Sequence, residues 1–215
     1  VNNPLWIRHS EGVFRGQAEA GYDGCHIDFA SHYEPCFCEH CKARWTQWAE
    51  DHGVEADLSV ADKSADQRVR MLLREFRIHC VMDFLGAVRD AAREVRPGFG
   101  IDGTYHQDNG STYQWAYGEH FELMCIEGTT YGAFPPAGAQ VPWMKLSHAL
   151  SRRGDRRPVS MSVTYHLLSD ADGNRFHGRM AADRVRVALG EIISQGGVSW
   201  LGLGGPKTGS LIREH

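Results

Sequence analysis

Apolar residues recur along this chain with helical spacing in several stretches, and short apolar runs of strand length lie between them. Asn3-Pro4 reads as an N-cap followed by proline in the first helical position. Trp6, Ile7, Val13, Phe14 and Ala18 then recur until Gly21, which predicts a helix. Cys25-His26-Ile27-Asp28-Phe29 follows as a strand. Trp45, Trp48 and Ala49 predict a helix over 42–52, opening at Lys42. The longest amphipathic stretch, 68–95, carries Val69, Leu72, Leu73, Phe76, Cys80, Phe84, Leu85, Val88 and Val95 on one face and stops at Arg96-Pro97-Gly98.

Beyond it, 99–105, 123–127, 158–165 and 197–202 read as strands. Helices are expected near 112–120, 143–152 and 180–195. The order is helix then strand, five times over. Strands that are short and mostly apolar are those expected when helices cover both faces and neighbours run parallel.

Such an alternation fits a doubly wound sheet or part of an eight-stranded barrel. No phosphate-binding glycine fingerprint follows any strand. Instead a polar or ionisable residue closes most of them: Asp28, Tyr105-His106, Glu127 and Tyr165-His166. Barrel enzymes keep their chemistry at that end of the strands. The expectation is therefore an α/β chain, a TIM (β/α)8 barrel represented by its C-terminal part, strands four to eight, with residues 1–215 forming one partial barrel domain. The first residue is Val, consistent with a piece of something longer.

The net charge is −4, from 23 Lys+Arg against 27 Asp+Glu, and the basic residues are scattered, which argues against nucleic acid as a partner. No apolar run is long enough to span a membrane, and Val-Asn-Asn-Pro lacks the layout of a signal peptide. A cytoplasmic protein is expected, with homo-oligomerisation left open.

Of six cysteines, Cys25, Cys80 and Cys125 stand apart in apolar surroundings and read as small buried hydrophobes. Cys36, Cys38 and Cys41 crowd into six residues just past a strand end. Three thiolates at this spacing suit a structural zinc ion, which takes tetrahedral sulfur or imidazole ligands. His32 or a cysteine outside this chain would be the fourth.

Gly24-Cys25-His26-Ile27-Asp28, then Cys36-x-Cys38-x-x-Cys41, then Arg44-Trp45-Thr46-Gln47-Trp48 resembles the fourth-strand segment of family 42 beta-galactosidases and related glycosidase-like proteins. The resemblance is strong over residues 1–52 and elsewhere extends only to helix-strand order. It implies a barrel, a zinc loop after strand four with one further cysteine from an earlier loop, and a glycosidase acting on an oligosaccharide or glycoconjugate. There is one departure. The family follows the strand-four Asp with Asn-Glu, the Glu being its acid/base, where this chain has Phe29-Ala30, so that assignment does not carry over.

Asp28 itself closes an Asp-Gly-x-x-x-Asp pattern similar to the nucleophile placement in alpha-galactosidase and alpha-fucosidase barrels. Glycoside hydrolysis requires two carboxyls, and Glu127, ending an apolar strand where burial would raise its pKa, is the natural partner. Asp28 and Glu127 are thus the catalytic candidates. Tyr105, His106, Tyr131, Trp143, Tyr165 and His166 are the candidates for binding sugar, through hydrogen bonds or ring stacking. Two other functions fit the same residues: a catalytically degenerate carbohydrate-binding barrel with a structural zinc loop, and a metal-dependent hydrolase using His106, His166 and Asp28. No organic cofactor is implied.

Overall fold

The computed structural model describes residues 1–27, 36–106, 121–127, 141–142, 145, 159–164, 167–169, 175–177 and 182–201. The chain divides into two compact units, Val1–Ile101 and Asp102–His215.

In the first unit, α1 (Pro4–Glu19) starts as expected: Asn3 is the N-cap, its side chain accepts from the Leu5 N–H, and Pro4 occupies the first helical position. The chain leaves this helix through Gly21, whose φ of 89° belongs to the left-handed region that glycine enters without steric cost. β1 (Gly24–Ile27) follows. α2 spans Glu39–Asp51, a short helix α3 Leu58–Ala61, and α4 the 29 residues Gln67–Val95. Asp66 caps α4 by accepting from the Arg68 N–H at 2.8 Å.

The amphipathic pattern explains the packing. Trp45, Leu73, Phe76 and Cys80 form one buried cluster with Cys41, Ala49, Val54, Leu58, Ala61, Val69 and Leu72, joining α2, α3 and the first half of α4. Trp45 lies at its centre, 1% exposed. Its ring meets Phe76 edge-on at 5.3 Å, and its indole N–H donates to the Ala56 carbonyl at 2.6 Å. The polar end of this large side chain is thereby satisfied where water is excluded.

α1 packs along α4, burying Ser10, Phe14 and Ala18. The end of α4 is fastened to the turn before β1: Arg96 donates to the Gly21 carbonyl at 3.0 Å and pairs with Asp23. β2 (Gly100–His106) starts beside β1, where the Gly100 N–H donates to the Asp23 carbonyl at 3.0 Å. The backbones approach so closely that a Cβ on Gly24 would fall 2.6 Å from the Gly100 carbonyl oxygen.

In the second unit the rest of β2 pairs in parallel with β3 (Leu123–Glu127). β3 pairs in parallel with β4 (Val159–Thr164), and β4 with β7 (Val198–Leu201). α5 (Ala182–Ser194) precedes β7, with Ile192 fully buried. Four of the five expected strands thus pair in parallel, in the expected order.

Three features depart from expectation. α2 begins at Glu39, not Lys42, which puts Cys38 at the N-cap and Cys41 inside the first turn. α3 is additional. Between β4 and β7 an antiparallel pair, β5 (Leu167–Ser169) with β6 (Arg175–His177), forms a separate two-stranded sheet outside the parallel one. The helix expected near 112–120 lies outside the described residues. Of the one near 143–152 only Lys145 is described and is helical, as are Val141 and Pro142 just before it.

Candidate functional site

Two sets of residues carry chemistry, one in each unit. In the first, the Sγ atoms of Cys36, Cys38 and Cys41 lie within 4.8 Å of one another. The start of α2 brings them together: Cys38 is its N-cap residue, in extended backbone conformation, and Cys41 enters three residues later. Cys36 and Cys38 are exposed and Cys41 is buried, so the cluster opens to solvent on one side and roots in the core on the other.

Electrostatics differ across it. The Cys38 thiol is held below its usual range, chiefly by the backbone N–H of Cys41, and further by the thiols of Cys36 and Cys41 and the backbone of His40. These are amides of the helix's first turn, without intrahelical partners and able to stabilise a thiolate. Burial pushes Cys41 up to about 12, against a hydrogen bond from Asn2 that lowers it. Without a cation the cluster therefore holds one thiol inclined to ionise and one that resists.

The donor set fits a soft or borderline divalent cation. Zinc–sulfur bonds of about 2.3 Å in a tetrahedron place sulfurs about 3.8 Å apart, so contraction of about 1 Å closes the cluster on an ion. Three candidate ligands come from this loop. The expected fourth, His32, lies outside the described residues.

Around Cys41 the structure adds residues that sequence reasoning missed. Asn2, 8% exposed, donates from Nδ2 to Cys41 Sγ at 3.4 Å and to Cys80 Sγ at 3.1 Å. Its Oδ1 accepts from Arg44 Nη1 at 3.0 Å, and Arg44 is paired with Asp83. Cys80 is buried as expected, but as a hydrogen-bonded thiol. Burial pushes it up in pKa, again against Asn2.

In the second unit Glu127 is the last residue of β3 and His106 the last of β2, and they are direct partners in the parallel register. Glu127 is in turn the partner of Val163 on β4. A glutamate and a histidine thus share one row at the C-terminal ends of adjacent strands, whose backbones run about 4.8 Å apart. Tyr105 occupies the preceding row, opposite Ile126. Asp102 is the partner of Leu123, four residues before the strand end. Asp28, Tyr131, Trp143, Tyr165 and His166 lie outside the described residues.

Among solved structures the chain is similar to the glycoside hydrolase domain of PgaB (BpsB) from Bordetella bronchiseptica, with a TM-score of 0.62 and 14% identity over 93% of this chain and 57% of that one. It is similar to the beta-galactosidase of Bacillus circulans sp. alkalophilus, with a TM-score of 0.70 and 10% identity over 93% and 34%. The beta-galactosidase of the Antarctic haloarchaeon Halorubrum lacusprofundi gives 0.68 and 10%, over 93% and 36%. The chain thus spans between about a third and three fifths of these structures. No protein-family model matches it, and neither does any curated protein sequence. Among the described residues no helix is long and apolar enough to cross a membrane. At these identities the likeness is one of fold, to solved structures that are TIM-barrel glycosidases.

Proposed function

We propose that this chain is the strand-four-to-eight part of a glycoside hydrolase barrel, cleaving a glycosidic bond in an oligosaccharide or glycoconjugate with two carboxyl groups. Glu127 is the general acid. Asp28, the residue after β1, is the second carboxylate, acting as nucleophile or base.

The observation that carries this reading is the register of β2 and β3, with His106 and Glu127 as partners at the C-terminal strand ends. A proton donor to a leaving glycosidic oxygen needs a carboxyl held in place and kept protonated near neutral pH. An imidazole in the neighbouring position is suited to orient that carboxyl and to bind a sugar hydroxyl. The likeness in fold to a glycoside hydrolase domain and to beta-galactosidases supports the same reading. Tyr131, Trp143, Tyr165 and His166 are proposed to bind carbohydrate. Tyr105 and His106, at the end of β2, are proposed to bind carbohydrate with them.

Cys36, Cys38 and Cys41 are proposed to hold a zinc ion in a structural role. It supplies ordering energy to the loop leading into α2 and takes no part in bond cleavage. A catalytically degenerate barrel that only binds carbohydrate is the competing reading, favoured by Phe29-Ala30 where the resembled family has Asn-Glu.

The test is hydrolysis of aryl glycosides by the full-length protein and its Glu127→Gln variant. Loss of a general acid lowers the rate by about 10² to 10⁴-fold, whereas a variant that retains wild-type turnover removes Glu127 from the mechanism. Carbohydrate binding without turnover in the wild type would establish the degenerate barrel. Zinc content, compared between wild type and Cys38→Ser, separates a structural ion at the cysteines from a catalytic one at His106, His166 and Asp28. Only the structural ion is lost with Cys38.

A further inference from the structure

We propose that Asn2 is a positioning residue for the cysteine metal site, its buried side-chain amide holding Cys41 for the ion and tying the start of α1 to that site through Arg44. The inference rests on reading Cys36, Cys38 and Cys41 as metal ligands.

Asn2 lies outside any helix or strand, immediately before the cap of α1, yet it is 8% exposed. Its hydrogen-bonding groups are directed at specific partners. Nδ2 donates to Cys41 Sγ at 3.4 Å and Cys80 Sγ at 3.1 Å, and Oδ1 accepts from Arg44 Nη1 at 3.0 Å. Cys80 stands outside the group of three sulfurs that lie within 4.8 Å of one another, so its bond fixes the amide instead of completing the ligand set. Arg44 is fixed in turn by Asp83 on α4. The relay runs from α4 through α2 to the segment before α1, and it ends on the one cysteine of the cluster that is buried.

That ending is where help is needed. A metal-bound thiolate at Cys41 has little water to solvate it, and uncompensated charge in such a place is costly. An N–H directed at the sulfur satisfies it, and the guanidinium behind the amide polarises that N–H further. Both also fix the direction of the sulfur, which sets how readily three thiols close on one ion. Groups that hold and tune metal ligands in this way typically contribute about 10 to 100-fold in metal affinity.

The experiment uses metal-stripped protein titrated with cobalt(II), followed by thiolate-to-cobalt charge-transfer absorption, and with zinc in competition with a chromophoric chelator. Asn2→Leu, close in volume but without the amide, is expected to weaken zinc binding by about 10 to 100-fold and to shift the cobalt band, while far-UV circular dichroism stays that of the wild type. Arg44→Met, which leaves the amide but removes its anchor, is expected to weaken binding in the same direction by a smaller factor, and it carries the test should Asn2→Leu fail to fold. Cys80→Ala, which removes the amide's other anchor, is expected to weaken binding by a smaller factor than Asn2→Leu and far less than Cys38→Ser. Wild-type affinity in folded Asn2→Leu, or in Arg44→Met where the former does not fold, overturns the proposal while leaving the metal site standing. A loss in Cys80→Ala as large as in Cys38→Ser would make Cys80 a ligand and likewise overturn it. A wild-type protein that takes up neither cobalt nor zinc overturns the metal reading and this inference together.

Discussion

The three clustered cysteines are neighbours in sequence and unlike in environment. Cys38 sits in the open against first-turn amides, and Cys41 is sealed beneath it. Alkylation of the metal-free native protein, followed by mass spectrometry, should therefore modify Cys36 and Cys38 and leave Cys41 and Cys80 untouched until denaturant is added. Bound zinc should protect all of them. The spacing Cys36-x-Cys38-x-x-Cys41 made the cluster legible in the sequence, because the motif is local. Asn2 was not legible. In Asn2-Asn3-Pro4 the second asparagine announces itself as a cap, but whether the first is exposed or buried depends on α2 and α4, 39 and 78 residues away at the two sulfurs it meets. No pattern of residue types near Asn2 encodes that contact.

At the scale of the element, the cap of α1 was legible in the sequence, whereas α4, capped by Asp66, starts one residue before the expected Arg68. The short α3 was not expected despite its Asp57 cap, and α2, without a side-chain cap bond, starts three residues before the expected Lys42. Asn3 and Asp66 have side chains that accept from the helix they open. Cys38 opens α2 with no side-chain cap bond, so the pattern there became visible only at Lys42. Replacing Asp66 with Ala should cost about 1 kcal/mol in urea unfolding, as lost caps typically do. Trp45→Ala removes the centre of the α2–α3–α4 cluster and leaves the Ala56 carbonyl without its donor. It should cost about 3 to 5 kcal/mol, enough to unfold a marginal unit. A measured loss for Trp45→Ala no larger than for Asp66→Ala would show that α2 contributes little to the stability of that unit. The antiparallel pair β5–β6 went unread because three residues per strand are too few to display alternation. Asp172-Gly173-Asn174 between them is nevertheless a strong hairpin sequence, and it is the signal that would have found them.

For the molecule as a whole, helix-strand alternation foretold the parallel run β2, β3, β4 and β7 because each strand must be covered by the helix next to it in sequence, a short-range requirement that leaves its period in the chain. Which strand ends face one another is a long-range property. The alternation named Glu127 and His106 as strand-end residues, and only the register made them partners. Stability should show the same division between local and distant causes. If the cysteine loop binds zinc in the folded state alone, free metal stabilises by mass action, about 2.7 kcal/mol at a hundred times the dissociation constant. For a cooperative transition in a chain of this size that corresponds to a rise of roughly 5 to 11 °C in Tm. The expected result is a wild-type Tm that climbs with the logarithm of free zinc and falls back on adding chelator, while Cys38→Ser stays flat. A wild-type Tm indifferent to zinc would mean that three thiols within reach of one another are held there by the start of α2 alone, and that the loop needs no ion to be ordered.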